Sequence, residues 1–301
     1  MRAHDSLRPL LLALILATIV PSGAAEVDQD WSTAIEESRA GRDERLRSPD
    51  GWLTLAGLYW LAPGANGFGS DDENPIVLDA PDVPPHAGTL SLDGETVTIH
   101  VSPEARVELD GEPITERALR DDTTEDGPDR VTIGRLSFYV IRRDDRFGVR
   151  VKDPQHPHLT GFRGLEFFPL DPAYRLDARF SPYDEPQEVQ VLSVVGTTSA
   201  FLVPGVVEFT LHGRELSLLP FVSDPDDTDF WFIFKDQTSG KESYGFRYLS
   251  AEMTDGRVDL DFNRTYNPPC AFTPYATCPL PPKANRLDVR IESGERIYGK
   301  H

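Results

Sequence analysis

The sequence predicts a mainly β protein: two packed antiparallel β-sandwich or barrel-like units preceded by one N-terminal helix. Three observations predict it. The 26 prolines and 23 glycines among 301 residues interrupt the chain too often for many long helices. Hairpin signals recur between apolar-rich runs, at Asp93-Gly94, Asp110-Gly111, His212-Gly213 and Asp255-Gly256. The runs beside them alternate with the two-residue period of a half-buried strand, as in Thr96-Val97-Thr98-Ile99-His100-Val101 and Val206-Val207-Glu208-Phe209-Thr210-Leu211. Short strands with regular turns read as a sandwich or barrel, not as βαβ units.

Taken in order, the chain begins with Arg2 and Arg8 ahead of an apolar run from Leu10 to Val20, closed by small residues through Ala25. This is the pattern of a signal peptide over residues 1–25, cleaved after Ala25, and it predicts export to the periplasm or the extracellular space. The run is shorter than the roughly 20 apolar residues of a membrane-spanning helix. Retention as an uncleaved anchor is the alternative. No later run approaches that length, so no stable membrane insertion is expected after cleavage.

Residues 26–61 are expected to hold the helix and an apolar segment. Asp28 to Arg47 lacks proline, and its sparse apolar residues Trp31, Ile35 and Leu46 predict a surface helix with one anchoring stripe. Ser48-Pro49-Asp50-Gly51 ends it. Trp52 to Leu61 is apolar and reads equally as strand or short helix, buried in either case. Residues 62–152 are expected to form a small β-sandwich. The turn-rich Asp153-Pro154-Gln155-His156-Pro157-His158 marks a boundary before a C-terminal β domain, 153–301. There, Phe230-Trp231-Phe232-Ile233-Phe234 is apolar on both faces and reads as a central, covered strand.

Composition narrows the function classes. Thirty basic residues face 50 acidic ones, a net charge of −20, and only five residues are lysine. That balance argues against nucleic acid as a partner, because phosphate contacts need Lys and Arg. It also opposes docking on anionic membranes. Sixteen Phe, nine Tyr and four Trp supply a core. The chain has no Gly-x-Ser-x-Gly elbow, P-loop or dinucleotide fingerprint, and no cofactor is implied.

Two family resemblances follow from particular residues. In residues 68–141, Phe68-Gly69-Ser70, Asn74-Pro75-Ile76-Val77-Leu78, His86-Ala87-Gly88, Val107-Glu108-Leu109-Asp110-Gly111 and Val131-Thr132-Ile133-Gly134-Arg135-Leu136 resemble, in order, the landmarks of a forkhead-associated β-sandwich. That family's Gly-Arg-Ser triplet stands here as Phe68-Gly69-Ser70, without the arginine that phosphothreonine needs. The resemblance therefore implies the fold and not the function. The second resemblance rests on Leu260-Asp261-Phe262-Asn263-Arg264-Thr265-Tyr266-Asn267-Pro268-Pro269-Cys270, continuing through Tyr275-Ala276-Thr277-Cys278-Pro279 to Asn285-Arg286-Leu287. Upstream, Phe147-Gly148-Val149-Arg150-Val151-Lys152-Asp153, Phe162-Arg163-Gly164-Leu165-Glu166 and Asp236-Gln237-Thr238-Ser239-Gly240 belong to the same pattern. These residues resemble the bacterial and archaeal family catalogued as domain of unknown function 1684, which implies no established activity. Phe246 departs from it, where the family more often carries Ala-Gly.

The signature loop, 260–287, is the first candidate site. Prolines at 268, 269, 274 and 279 pre-set its shape. On it, Asn263, Arg264, Tyr266 and Asn267 suit a carboxylate, phosphate or sugar. Alternatively, Arg264 pairs with Asp261 and the amides brace the turn. Arg150 and Arg163 suggest a basic pocket in an acidic protein, or else surface ion pairs. Tyr244 and Arg247 form an aromatic-cationic cluster that would wall the same site. Together these eight residues predict binding of a small anionic or polar ligand. Cys270 and Cys278, the only cysteines, are expected to pair as a disulfide in an exported protein; Cys270 as a nucleophile is the alternative. A competing reading is a hydrolase with Asp261 or His156 as base and Arg264 stabilising developing charge. A third is a structural module of the cell envelope. His156 and His158 with Asp153, and the acidic turn Asp224, Asp226, Asp227 and Asp229, carry metal-ligand side chains, but no metal site is expected. The first lacks a His-Glu-x-x-His pattern, and the second lacks the EF-hand glycine and terminal glutamate.

Overall fold

The structure, a computed structural model, describes residues 28–299, so the expected signal peptide, 1–25, lies outside the described residues. The N-terminal helix runs Gln29–Arg47. Asp28 caps it, its Oδ1 accepting the N–H groups of Asp30 (3.0 Å) and Trp31 (3.4 Å). Trp31, Ile35 and Leu46 are its buried residues. Trp31 Nε1 donates to Asp261 Oδ2 at 2.7 Å, which docks the helix on the C-terminal half of the chain. The ambiguous segment resolves as one 3-10 turn, Trp52–Thr54, followed by a strand, Leu55–Trp60.

That strand belongs to the first β unit. One sheet orders Leu55–Trp60, Arg146–Lys152, Leu136–Arg143, Val131–Ile133, Val107–Leu109 and Glu112–Pro113. The facing sheet orders Ile76–Val77, Gly64–Gly69, Gly88–Asp93, Thr96–Val101 and Glu116–Leu119. Pairing is antiparallel except where Gly64–Gly69 meets Ile76–Val77. Phe68, Leu90, Ile99, Phe138, Val140 and Val149 lie in one buried cluster, with the Phe68 and Phe138 rings 5.7 Å apart. The alternation seen in the sequence is what fills this core from both sheets.

The second unit is a six-stranded antiparallel sheet ordered Arg214–Leu218, Thr198–Leu211, Arg175–Leu192, Arg257–Asp261, Arg247–Thr254 and Asp229–Phe234. Its tight turns carry the dipeptides that signalled them. His212 (φ 52°) and Gly213 (φ 74°), and Asp255 (φ 51°) and Gly256 (φ 76°), occupy paired left-handed positions, as do Asp110 and Gly111 in the first unit. This matches the right-handed twist of the flanking strands.

One expectation changes. Phe230 to Phe234 lies at the end of the sheet order and not at its centre. Its outer edge is nevertheless occupied: Phe221 N–H donates to Trp231 O (2.7 Å) and Trp231 N–H to Phe221 O (3.0 Å). Phe221 lies just beyond Arg214–Leu218, the opposite end of the sheet, so the sheet curls until its ends meet. The C-terminal segment adds Lys235 N–H to Asn285 O (3.1 Å) and Leu287 N–H to Lys235 O (2.8 Å). It carries Leu287, Val289 and Ile291 into the core beside Phe232 and Phe234. An apolar run on both faces reports cover on both sides, and here curvature and the tail supply it.

Gly294 shows how closely that tail lies on the signature loop. Its φ is +78°, and a Cβ there would stand 2.5 Å from Thr265 O and 2.6 Å from Thr265 Cβ. Gly213 is also left-handed but has open space around it. Gly213→Ala is expected to cost on the order of 1 kcal/mol from backbone strain alone, and Gly294→Ala at least about twice that. Urea unfolding of both variants checks the order; equal losses would mean that the tail moves aside freely.

Candidate functional site

The helix and the signature loop enclose a cavity of about 460 Å³. Arg39, Arg42 and Arg45 recur at three-residue steps and so project from neighbouring positions along one side of the helix. Arg264 faces them from the 3-10 turn Phe262–Arg264. Four guanidinium groups thus line one cavity of a protein with net charge −20.

Their partners differ. Arg42 is held: its Nε donates to Glu295 Oε1 (2.9 Å), its Nη2 to Asn267 O (2.8 Å), and its guanidinium stacks over the Tyr266 ring at 5.1 Å. Arg39 reaches Glu36 (3.2 Å) and Phe168 O (3.3 Å) and lies over the Phe167 ring, while its Nε is buried without a partner. Burial holds the Arg39 pKa below its ordinary value. Arg264 comes no nearer than 3.7 Å to Asp261, beyond hydrogen-bond distance, and its side chain is 41% exposed. Exposed Arg45 makes no ion pair among the described residues. Thr265 Oγ1, also in the lining, is buried without a hydrogen-bond partner. The cavity therefore offers Arg45, which has no ion pair among the described residues, and Arg264, whose one carboxylate neighbour stands at 3.7 Å. That arrangement suits an anion with several oxygens.

The supporting groups are committed. Glu295, 1% exposed, accepts Arg42 through one oxygen and the Asn267 N–H (2.8 Å) through the other. Burial pushes its carboxyl pKa up, against the pull of those two donors. Asp261 is spent likewise: Oδ2 takes Trp31 Nε1, and Oδ1 takes the Asn263 N–H (2.9 Å) and Nδ2 (2.8 Å). Both of its oxygens already accept hydrogen bonds.

The eight predicted ligand residues do not form one site. Asn263, Arg264 and Tyr266 line this cavity. Asn263 also braces the chain, exchanging hydrogen bonds with the Asp171 backbone at 3.1 and 3.0 Å. The Tyr266 hydroxyl accepts from Trp231 Nε1 at 3.2 Å. Asn267 is fully buried and donates Nδ2 to Arg296 O at 2.7 Å, as a brace. Arg247 is 0% exposed, donating to Ser293 O (2.5 Å), Ile291 O (3.0 Å) and Asp236 Oδ1 (3.3 Å). It holds the tail and has no face left for a ligand. Tyr244 donates its hydroxyl to Cys270 O (3.0 Å), and burial raises its pKa. Arg163 lines a separate cleft with His158 and Tyr298, and Arg150 lines a third cavity.

His156 caps the short helix Pro157–Thr160, and its Nδ1 accepts the His158 N–H at 3.3 Å. Burial lowers its pKa. Asp153, its expected companion, is committed to Arg135 at 3.0 and 2.9 Å. Asp224 and Asp227 spend their carboxylates on the backbone N–H groups of their own turn. Cys270 and Cys278 are free thiols, with no bond between them, but they are in contact: the Cys270 N–H donates to Cys278 Sγ at 3.2 Å.

Sequence reasoning missed Arg39, Arg42, Arg45 and Glu295. The three-residue arginine spacing was a signal available for the helix residues. Nothing local marks Glu295, whose partners lie 28 and 253 positions away.

Residues 160–296 match the model of a family described as "Protein of unknown function (DUF1684)". The signature loop lies inside that range, and the helix arginines lie outside it. Among solved structures, an uncharacterized protein of Haloarcula marismortui is 33% identical, with 46% of this chain and 78% of its own covered and a TM-score of 0.39. An FHA domain studied for phosphothreonine-dependent interactions is 16% identical, with coverage of 32% and 92% and a TM-score of 0.23. The FHA-2 domain of a Mycobacterium tuberculosis ABC transporter is 25% identical, with coverage of 30% and 77% and a TM-score of 0.23. No curated protein matches the chain.

The raised Glu295 pKa has a signed consequence. A group whose folded-state pKa lies above its unfolded value stabilises the fold fully below the unfolded pKa and loses that contribution as pH rises through the folded one. The stability of wild type relative to Glu295→Gln is therefore expected to fall as pH rises from the ordinary glutamate range upward. Urea midpoints of both proteins across that range test it; a difference that grows with pH would mean the carboxylate is stabilised in its ionised form.

Proposed function

The chain belongs to the DUF1684 family of proteins of unknown function, and we propose that it is an exported protein that binds a small polyanion of the phosphate or polycarboxylate type between its helix and its signature loop. One observation carries the reading: four arginines line a single 460 Å³ cavity, Arg45 with no ion pair among the described residues and Arg264 with only a 3.7 Å contact to Asp261. Arg45 and Arg264 would grip the anion. Arg39 and Arg42, held by their own partners, would set the positive background. In so acidic a protein, a local cationic pocket focuses anions that the rest of the surface repels. A hydrolase reading finds less support, because both oxygens of Asp261 already accept hydrogen bonds.

Calorimetric titration with inorganic phosphate, pyrophosphate and citrate at low salt tests the site. Arg45→Ala and Arg264→Ala are each expected to weaken binding about tenfold or more, as loss of a charge-assisted contact does. Arg163→Ala, in the separate cleft, is expected to change nothing. Absence of saturable binding by all three anions in wild type would refute the reading.

Export and the disulfide belong to the same proposal. The N-terminal pattern supports cleavage after Ala25, and the contact between Cys270 and Cys278 supports pairing in an oxidising compartment. Such a link would close a nine-residue loop, worth roughly 2.5 kcal/mol on the chain-entropy model. Intact mass of the protein secreted by its host is expected to start at Glu26 and to be lighter by two hydrogens than the dithiol form. A chain that keeps residues 1–25 and both thiols would contradict export and pairing together.

A further inference from the structure

Arg150 is 3% exposed and has no carboxylate partner among the described residues. Its Nη1 reaches only the Tyr139 hydroxyl (3.2 Å) and its Nη2 only Thr277 Oγ1 (3.4 Å), both neutral oxygens, and its Nε is buried with no partner. The ring of Trp52 lies 5.4 Å from the guanidinium and that of Tyr139 5.8 Å, which offsets part of the lost hydration. A desolvated cation without a counter-charge is costly unless something else supplies one. Its neighbour Arg143 shows the contrast, since it holds Asp122 through two bonds of 2.9 and 2.7 Å.

Both arginines line a cavity of about 290 Å³ that shares no lining residue with the polyanion site. This size is at the lower end of small-ligand pockets, roughly 300–1,000 Å³. Trp52, Phe201, Trp231 and Tyr248 contribute to its walls. The polar tips of Trp231 and Tyr248 are already bound, to the Tyr266 hydroxyl (3.2 Å) and Pro279 O (3.4 Å), so these residues offer the cavity ring surface. The cavity thus combines aromatic ring surface with one positive charge that no carboxylate among the described residues answers.

We propose that this cavity is a second binding site, which takes a small aromatic or heteroaromatic monocarboxylate. Its carboxylate would meet the Arg150 guanidinium, and its ring would lie against the aromatic walls. A polyanion would leave charge stranded among the rings, and a neutral ring would leave Arg150 unmatched. The proposal is independent of the polyanion reading.

Cys278 also lines the cavity. Its hydrogen bond with Cys270 holds the thiol below its ordinary pKa, and nearby Arg150 acts in the same direction. A thiolate there would compete with a bound carboxylate, so the test uses protein whose cysteine pair has been oxidised by a small disulfide reagent.

Calorimetric titration with benzoate and with indole-3-acetate reads the site. Saturable heat is expected from at least one acid, with benzyl alcohol and indole at least tenfold weaker. Arg150→Met, close in volume and lacking the charge, is expected to lose binding at least tenfold, while Arg264→Ala leaves it unchanged. Ser199→Phe, at an exposed lining position, is expected to obstruct the cavity and decides the matter if Arg150→Met does not fold. Phosphate binding unaltered in Arg150→Met would separate the two sites. No saturable response to either acid would overturn the proposal, as would equal affinity for the neutral analogues.

Discussion

Glu295 carries a carboxylate almost out of reach of water, and its two oxygens accept the Arg42 Nε–H and the Asn267 N–H. Three stretches remote in sequence meet there: the N-terminal helix, the signature loop and the C-terminal tail. The low dielectric around such a group strengthens both bonds and makes the loss of either partner expensive. Asp261 performs a parallel task for Trp31, one turn from the start of the helix. Two buried acids thus fix both the position and the rotation of the helix. The rotation is what places Arg39 and Arg45 in the lining of the cavity that Arg264 also lines. The geometry of the cationic cavity is in this sense a consequence of where the acids are.

The two most deeply buried arginines illustrate opposite uses of one residue type. Arg247 spends its terminal nitrogens on two tail carbonyls and the buried carboxylate of Asp236, and so works as a fastener between strand and tail. Asp236 in turn accepts the Ile291 N–H at 2.6 Å, which closes the network. Arg150 donates only to hydroxyl groups and lies against aromatic faces, with no carboxylate partner among the described residues. Burial alone would have ranked them together. The difference lies in whether a carboxylate answers the charge.

Local features of the chain were readable from sequence. Proline-free sequence with apolar residues at 31, 35 and 46 gave the helix, because a stripe needs only the helical period. Asp110-Gly111, His212-Gly213 and Asp255-Gly256 gave turns, because few other dipeptides tolerate two left-handed residues in succession, while at Asp93-Gly94 only the glycine is left-handed. The signature loop pointed to Arg264, Asn263 and Tyr266. What stayed hidden depends on long-range contact. Phe230 to Phe234 reads as central because hydrophobicity reports cover and not neighbours. Arg247 resembles a ligand arginine until the tail is seen lying across it. Arg150 and Arg163 share a charge and a β-rich context, yet they open into different cavities. Arg39, Arg42 and Arg45 look like ordinary solvated residues until the loop that faces them is in place.

The meeting of Phe221 with Trp231 bears on how such a chain stays dispersed. An open sheet ends in a row of unpaired N–H and C=O groups, which another molecule can extend. Here those two residues engage each other where the ends of the six-stranded sheet converge. In the first unit, Ile76–Val77 and Glu112–Pro113 make one edge of each sheet only two residues long. A surface this acidic also keeps molecules apart, but salt shortens that repulsion to about 3 Å at 1 M ionic strength. Hydrogen bonds already made at the seam are indifferent to salt. Protection against strand-to-strand growth is thus built partly into the topology, and that part persists in brine as well as in dilute buffer.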